Sequence, residues 1–189
     1  MPYAISLHIG LNKIDKKHYG SEYPLAGCIN DAKDMLAIAK QKKYDESYIL
    51  IDEAGTYANI TGHMAAAAKK LKSGDMFFIS YSGHGAYVPD KNKDEIDGKD
   101  ETWGLYDRMI LDDELAQYWG RFKKGVKIFM ISDSCHSGTV SRAMKSDGTL
   151  DEPLKGRTRL IKDGPKIFAK HKSLYNNATP GNASAAKNG

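Results

Sequence analysis

Cysteine is scarce in this 189-residue sequence, and long apolar runs are missing from it. Its two cysteines, Cys28 and Cys135, lie far apart and in no Cys-x-x-Cys motif, which argues against a disulfide scaffold and a cysteine-based zinc site. No apolar run approaches the ~18 residues of a membrane span. No lysine or arginine precedes Lys13, which is unlike a secretory signal. We therefore expect a cytoplasmic protein with no membrane partner.

Positive charge is unevenly distributed along the chain. The formal net charge is +4, but residues 141–189 carry ten Lys and Arg against four Asp and Glu, so residues 1–140 are slightly acidic. A basic tail can contact nucleic-acid phosphates. A charge run is more often a solvated linker, however, and we expect no nucleic-acid partner. The apolar content of 41% is that of an ordinary globular domain.

Segments with strand character alternate with segments of helical spacing. Apolar runs predict strands over residues 4–11, 48–51, 76–79 and 126–131, and helical spacing predicts helices that begin at Asn30, at Thr56 and at Asp112 or Asp113. This βαβ alternation predicts an α/β fold in which helices cover a mostly parallel sheet. The continuous apolar runs at 76–79 and 126–131 favour strands buried on both faces.

Two short polar motifs follow the third and fourth predicted strands. Ser82-Gly83-His84-Gly85 comes after one and Asp133-Ser134-Cys135-His136-Ser137-Gly138 after the other. In such sheets, ligands bind at the carboxyl ends of the strands, so both motifs are expected at one edge. A thiol attacks as its thiolate, which a nearby imidazole can generate. We therefore predict Cys135 as nucleophile and His84 as general base, with the Gly85 N–H in an oxyanion hole.

The paired motifs resemble those of caspase-like cysteine peptidases, and specifically metacaspases and orthocaspases. His84 lies 51 residues before Cys135, close to the caspase spacing of about 50, whereas the caspase Gln-Ala-Cys-x-Gly signature is not matched. The resemblance spans roughly residues 3–144. It implies a caspase-like three-layer fold and an endopeptidase that cleaves peptides and proteins after Arg or Lys.

The resemblance also implies a set of acidic and polar residues that bind the substrate cation. The positions carried over are Cys28 and Asp31 from one segment and Ser82 and Asp133, each two residues before a catalytic residue. Carboxylates at this edge suit the forked guanidinium of Arg. Alternative explanations stay open: Asp31 favours a helix N-terminus, Asp133 is a structural acid at a strand end, and Cys28 is a small core residue.

Many metacaspases require calcium, and the resemblance implies ligands in two acidic segments, Gly98-Lys99-Asp100 and Asp112-Asp113-Glu114. The candidate ligands are Asp97, Asp100, Asp112 and Asp113, whose hard oxygens suit Ca²⁺. The segment between them is short for the family. Arg142 also stands seven residues after the cysteine, where a further aspartate is expected. The alternative is that Asp112 and Asp113 stabilise a helix N-terminus.

The sequence after Arg142 differs in character from the rest. Residues 1–144 are predicted to be the catalytic domain, and residues 145–189 a basic linker and disordered tail. Caspase-like folds continue with two strands, for which 166–169 is the best candidate. The chain is therefore expected to need a small-subunit segment or a second chain to complete its sheet. Basic residues between Arg142 and Arg159, in an exposed stretch, predict self-processing there.

Two other classes of function stay open at this point. A catalytically inactive caspase-like interaction module is favoured if the missing strands are truly absent. An unrelated α/β domain that binds phosphate or calcium is the other, although no Gly-x-x-x-x-Gly-Lys-Ser/Thr motif supports nucleotide binding.

Overall fold

A computed structural model describes residues 2–89, 99–134 and 159–178. Its strands are β1 (Ala4–Gly10), β2 (Glu46–Ile51), β3 (Met76–Ser82), β4 (His84–Pro89), β5 (Lys99–Gly104), β6 (Met109–Leu111) and β7 (Lys127–Asp133). Its helices are α1 (Lys16–Tyr19), α2 (Cys28–Gln41), α3 (Tyr57–Lys70), α4 (Asp112–Trp119), α5 (Gly164–Lys170) and α6 (Lys172–Ala178). Among the described residues, no helix is both long and apolar enough to cross a membrane.

The predicted parallel sheet is confirmed. Its strand order is β2-β1-β3-β7, and all three neighbouring pairs run parallel. Side chains alternate between the two faces of each strand. Leu7 and Ile9 of β1 pack with Ile60 and Met64 of α3 on one face. Gly10 lies against α2 on the other, where an added Cβ would sit 2.3 Å from the Cys28 carbonyl. The mixed layers fit the expected caspase-like fold.

Helix starts follow the sequence at one position and depart from it at another. Thr56 caps α3 as predicted, since its hydroxyl accepts a hydrogen bond from the Asn59 N–H at 3.2 Å. The start of α2 was predicted at Asn30 and is in fact at Cys28, with Gly27 as the N-cap. The φ of Gly27 is 101°, a backbone conformation that favours glycine. This earlier start places Cys28 and Asp31 in the first turn of the helix.

A second sheet of three antiparallel strands, in the order β4-β5-β6, was not predicted. It joins the parallel sheet at Gly83, so the chain passes directly from β3 into β4. Strands β4 and β5 mix polar and apolar residues, and β6 has only three residues, so none of them gives a clear period-2 pattern.

Strand β7 lies at an edge of the described sheet and is more exposed than expected. Ile128, Phe129 and Met130 are 37%, 54% and 47% exposed, so the prediction of a strand buried on both faces is wrong for the described residues. An apolar sequence shows that a strand can be buried on both faces. How much of the strand is buried depends on the strands and helices that pack against it.

The segment beyond residue 158 is also more ordered than expected. Residues 166–169 belong to helix α5 rather than to a strand, because Ile167 and Phe168 share a helical face. A second helix, α6, reaches Ala178, so the expected linker and tail contain structure between residues 159 and 178. The division into two regions at residue 144 stays a prediction.

A second apolar cluster explains why this segment is ordered. It joins the C-terminal helices to α1 and the antiparallel sheet, and its buried members are Ile14, Tyr19, Ala86, Val88, Met109, Leu111, Ile161, Ile167, Phe168 and Tyr175. The main cluster lies instead between the parallel sheet and α3 with α4.

Candidate active site

The carboxyl ends of β3 and β7 and the first turn of α2 meet at one edge of the parallel sheet. Ser82 and Asp133 are register partners at the last residues of their strands. Asp31 accepts a hydrogen bond from the Ser82 hydroxyl at 2.7 Å. The structure therefore brings together the three polar residues that the sequence analysis proposed for binding the substrate cation.

The guanidinium of Arg159 lies in the pocket made by these residues. Its Nη1 donates to the Ser82 hydroxyl at 3.1 Å and to the Asp133 carbonyl at 2.6 Å. The same group forms an ion pair with the Asp133 carboxylate, and Nη2 lies 3.4 Å from Asp31 Oδ2. The pocket thus holds a forked cation between two carboxylates.

Cys28 lies beneath this pocket as a fully buried thiol. Burial raises the pKa of Cys28, although the Ser82 hydroxyl and the Arg159 charge oppose the shift. A thiol with a raised pKa stays protonated at neutral pH and is a poor nucleophile. The raised pKa therefore argues against Cys28 as a nucleophile.

His84 begins the strand that leaves the parallel sheet, and its side chain is only 2% exposed. Its Nε2 lies 2.5 Å from the carbonyl oxygen of Tyr23. A carbonyl only accepts, so Nε2 carries the proton and Nδ1 of the neutral ring is left as the basic nitrogen. Nδ1 is buried and has no hydrogen-bond partner within the described residues. Nδ1 is therefore the nitrogen of the neutral His84 ring that is able to accept a proton.

Burial lowers the pKa of His84 below its usual 6.5, while backbone groups of Tyr23 and Arg159 partly offset the shift. Desolvation penalises the charged imidazolium, so the neutral form is favoured at neutral pH. A general base must be unprotonated to act, and the environment of His84 supplies that state.

The backbone of Gly85 binds residues 159–161 through both of its polar groups. Its N–H donates to the Arg159 carbonyl at 2.8 Å, and its carbonyl accepts from the Ile161 N–H at 2.9 Å. The pairing is parallel and centred on Leu160. The Arg159 carbonyl therefore accepts a hydrogen bond from the Gly85 N–H, the group predicted to donate to an oxyanion.

Tyr81 fixes the turn that carries these groups. Its hydroxyl lies 2.7 Å from the His84 carbonyl and 2.9 Å from the Gly104 carbonyl, and its ring stacks on Trp103 at 4.5 Å. A Cβ at Gly83 would lie 2.5 Å from the Tyr81 hydroxyl, so only glycine fits this turn.

Cys135 lies outside the described residues, as does the candidate ligand Asp97. What the structure shows is the residue two positions earlier: Asp133 ends β7 at the mouth of the pocket.

The remaining candidate calcium ligands lie at the start of β5 and of α4. Asp100 is buried, whereas Asp112 and Asp113 are half-buried, and Asp112 accepts from the Asp113 N–H at 2.9 Å. The β5–β6 pairing aligns Thr102 with Leu111, which places the two acidic segments side by side. Within the described ranges, however, no three Asp, Glu, His or Cys side chains form a metal-binding group. These residues alone therefore do not complete a calcium site.

Two features of the site were not foreseen in the sequence. The first is the Tyr23 carbonyl, a backbone group that any residue type can supply. Tyr23 is marked in the structure by its φ of 43°, which is unusual for a residue other than glycine. The second is the position of Arg159, 128 residues away from Asp31 in the chain.

Comparison with known proteins identifies the family. The model for the metacaspase, peptidase C14 domain matches residues 6–143. Metacaspase-1A of Aspergillus fumigatus is 34% identical over 165 residues, which cover 78% of this chain and 39% of that protein. Metacaspase-2 of Trypanosoma brucei brucei is 34% identical over 151 residues, or 71% of this chain and 42% of that protein.

A solved structure supports the same assignment. The crystal structure of a protein from Geobacter sulfurreducens superimposes with a TM-score of 0.77 at 39% identity, covering 93% of this chain and 64% of that one. The chain spans about two fifths of the length of the curated relatives that it matches. On the matched domain and these relatives, the chain belongs to the metacaspase family of cysteine-type peptidases.

Proposed function

We propose that this domain is a cysteine endopeptidase that cleaves peptide bonds after Arg or Lys. The observation that carries the proposal is the binding of the Arg159 side chain by Asp31, Ser82 and Asp133. The backbone carbonyl of Arg159 also accepts a hydrogen bond from the Gly85 N–H. A pocket that holds one arginine of the chain in this way has the charge and shape to hold another.

Each group of the site has a role in this mechanism. His84 Nδ1 takes the proton of the Cys135 thiol, and the thiolate attacks the substrate carbonyl. The Gly85 N–H stabilises the oxyanion that forms. His84 then gives its proton to the leaving amine, and a thioester to Cys135 remains. Water hydrolyses the thioester, with His84 again as base, and the free thiol is restored.

The pocket favours arginine over lysine and excludes acidic side chains. Arg159 uses two nitrogens to contact Ser82, Asp31 and Asp133, which the single ammonium of lysine matches less well. An aspartate in the same place would meet two carboxylates and be repelled. The expected order of substrates is therefore arginine first, lysine second, and aspartate not at all.

The experiment is a peptide assay with fluorogenic substrates that end in Arg, Lys, norleucine or Asp. Wild-type protein is expected to cleave the Arg and Lys substrates, and Cys135→Ala to cleave none, because the nucleophile is lost. Equal rates for wild type and Cys135→Ala would disprove the mechanism, and cleavage after Asp would disprove the pocket assignment. Inactivity of the wild-type protein on all four would favour an interaction module.

Self-processing is part of the same proposal. The segment between Arg142 and Arg159 follows the nucleophile closely in sequence, and Arg159 already lies in the pocket. The carbonyl held by Gly85 belongs to the Arg159–Leu160 bond, so this is the bond that we expect to be cut. Intact-mass spectrometry of wild type, Arg159→Gln and Cys135→Ala tests it. A cut at the same bond in Cys135→Ala would show that another protease makes it.

Calcium dependence is the third element of the proposal. The β5–β6 pairing sets Asp100 beside Asp112 and Asp113, and calcium is a hard cation that carboxylates prefer. The assay is repeated with EGTA and with added calcium, using Asp112→Asn as the variant. A rate that is the same in EGTA and in calcium would remove calcium from the proposal.

The exposed edge at β7 supports a further partner. Ile128, Phe129 and Met130 are apolar and exposed within the described part of the chain. An open apolar strand is a template for further pairing. We propose that a small-subunit segment or a second chain covers this edge, and light scattering coupled to gel filtration would show whether the isolated chain self-associates.

A further inference from the structure

Positive charge is concentrated at the amino ends of the parallel strands, opposite the cation pocket. Three segments, residues 40–46, 69–75 and 121–127, lead from the ends of helices α2, α3 and α4 into strands β2, β3 and β7. They hold ten Lys and Arg against three Asp and Glu, whereas the rest of residues 1–140 holds eight against seventeen. These ten side chains are all exposed, and together they are called the basic face: Lys40, Lys42, Lys43, Lys69, Lys70, Lys72, Arg121, Lys123, Lys124 and Lys127.

The basic face is one continuous surface because the strands beneath it begin at one level. Ala4, Met76 and Lys127 are register partners across β1, β3 and β7, and β2 starts opposite the second residue of β1. The Gly74 N–H donates to the Gly125 carbonyl at 2.8 Å, which joins the segment before β3 to the segment before β7. The amino edge of the sheet is therefore level, and the basic side chains project from it.

The three acidic residues of these segments neutralise little of this charge. Asp45 and Asp75 accept hydrogen bonds from backbone N–H groups at the start of the chain, and Glu46 forms an ion pair with Lys70. Within the described part of the chain, the other nine side chains of the basic face form no ion pair. An anionic partner therefore meets nine positive charges that no carboxylate of these residues pairs.

The composition of the basic face favours a charged plane over nucleic acid. Nine of its ten members are lysines, which act as hydrated point charges, whereas bases are commonly read by the paired nitrogens of arginine. Single strands stack on aromatic rings, but the two aromatic residues of these segments, Tyr44 and Phe122, pack inward on Phe78 and Phe77. A level surface also meets a plane along its whole extent, whereas a cylindrical duplex touches only a strip of it.

We propose that the basic face binds the anionic lipid headgroups of a membrane surface. Such a contact needs no membrane-spanning segment, and the expectation of no membrane partner was based on the lack of a long apolar run. No large apolar side chain is exposed in the three segments as the structure describes them, so attraction between charges holds the protein at the surface. The proposal does not depend on the peptidase activity.

This contact fixes how the active site faces the membrane. Met76 and Ser82 begin and end β3, and each residue of a strand rises about 3.3 Å. The two ends of β3 therefore lie about 20 Å apart. With the basic face on the membrane, the cation pocket at the carboxyl ends of the strands points into solvent, where soluble substrates reach it.

The strength of the contact follows from the number of charges. Each basic residue close to an anionic leaflet tightens binding about fivefold, so removing three of them should weaken it on the order of 100-fold. Added salt should also weaken the contact, because the screening length falls from about 10 Å at 0.1 M salt to about 3 Å at 1 M.

The test measures co-sedimentation of the 189-residue chain with lipid vesicles. One set of vesicles is phosphatidylcholine alone, and the other is phosphatidylcholine and phosphatidylserine in equal parts. Cys135→Ala is the parent protein, so that self-processing does not change the chain. The parent should bind only the phosphatidylserine vesicles. The triple variant Lys42→Gln, Lys69→Gln and Lys124→Gln, which removes one charge from each segment, should bind them on the order of 100-fold more weakly.

The matched control is the triple variant Lys16→Gln, Lys17→Gln and Lys33→Gln, whose lysines are exposed and lie outside the basic face. It loses the same charge, keeps the basic residues 141–189 as the first variant does, and should bind as the parent does. Equal weakening in both triple variants would assign the binding to total charge or to the tail and would overturn the proposal. Equal binding of the parent to both kinds of vesicle, or to neither, would overturn it as well.

Two further measurements separate charge from folding and lipid from nucleic acid. Replacing Lys42, Lys69 and Lys124 by arginine keeps the charge and should keep the binding; a loss there too would contradict an electrostatic contact. A fluorescein-labelled DNA duplex is the second probe. Binding of the duplex by a parent protein that does not bind anionic vesicles would assign the basic face to nucleic acid and refute the membrane proposal.

Discussion

The two apolar clusters of the domain differ in how the chain builds them. The main cluster lies between the parallel sheet and helices α3 and α4, and its strands and helices follow one another along residues 4–133. The second joins α1, the antiparallel sheet and residues 161–175, which are far apart in sequence. The chain passes from one to the other between Ser82 and His84.

This difference divides the active site. The cation pocket, with Ser82 and Asp133, belongs to the ends of the parallel strands. The base His84 and the oxyanion donor Gly85 belong to β4, which packs on the second cluster. Damage to the main cluster should therefore unfold the domain, whereas damage to the second should alter the catalytic chemistry and the contacts of residues 159–178.

The largest effect is expected for His84→Ala. General acid–base catalysis is typically worth ~10²–10⁴ in rate, and this side chain supplies it from the start of β4. Turnover of an arginine substrate should fall by that factor while the melting temperature changes little. His63→Ala, in helix α3, is the matched control. A loss of less than tenfold would assign the base to another group.

The second prediction compares one apolar residue from each cluster. Ile79 is fully buried in the main cluster, and Ile79→Ala should lower the free energy of unfolding by about 2–5 kcal/mol. Phe168→Ala acts on a smaller unit that can open separately, so its global cost should be lower and its main effect local.

Urea unfolding measures the global cost, and limited proteolysis of residues 159–178 measures the local opening. The Phe168 variant should be nicked faster and the Ile79 variant should unfold at lower urea. An equal loss of global stability in both variants would show that the two clusters unfold as one unit.

Two histidines whose pKa values are lowered, one in the parallel sheet and one in α1, give a third prediction. Burial lowers the pKa of His8, in β1, to about 4, and burial together with His171 and Arg108 lowers that of His18 to about 4. The unfolded chain binds these protons near pH 6.5 and the folded one only near pH 4. Between those values the unfolded state holds more protons, so stability falls as the pH falls.

For His8 this linkage is worth about 2 kcal/mol between pH 7 and pH 5. The replacement His8→Asn does not titrate, so its unfolding free energy should lose that much less over the same range. The corresponding change for His18→Asn should be smaller because His18 is only half-buried. Identical pH dependence in wild type and His8→Asn would show that His8 is not responsible.

The same division explains which parts of the structure the sequence predicted. The strand and helix periods of the main cluster are regular, so its parallel sheet and the start of α3 at Thr56 were both predictable. The second cluster is made from short segments with no clear period, and its antiparallel strands were missed. The apolar pair Ile167 and Phe168 was noticed but assigned to a strand.

The site follows the same pattern. Its polar residues were predictable because they follow strands, and strand ends meet at one edge of a parallel sheet. The Tyr23 carbonyl and the bound Arg159 were not, since a backbone acceptor has no sequence signature and a contact over 128 residues depends on the completed fold.

The smallest effect is expected for Asp133→Asn, which tests the main-sheet side of the site. The Asp133 side chain is 61% exposed and that of Asp31 is 43% exposed, so solvent screens each carboxylate. Arg159 also keeps the Asp133 carbonyl and the Ser82 hydroxyl as acceptors when one charge is removed. The specificity constant for arginine substrates should therefore fall only about tenfold, or about 1.4 kcal/mol. The constant for norleucine substrates should stay the same, because His84 and Gly85 are untouched and norleucine has no charge to pair.

Assays of both substrates on wild type and Asp133→Asn measure the ratio of the two specificity constants directly. A parallel loss on both substrates would mean that Asp133 supports the catalytic groups rather than the cation pocket, and an unchanged ratio with unchanged rates would remove it from substrate binding.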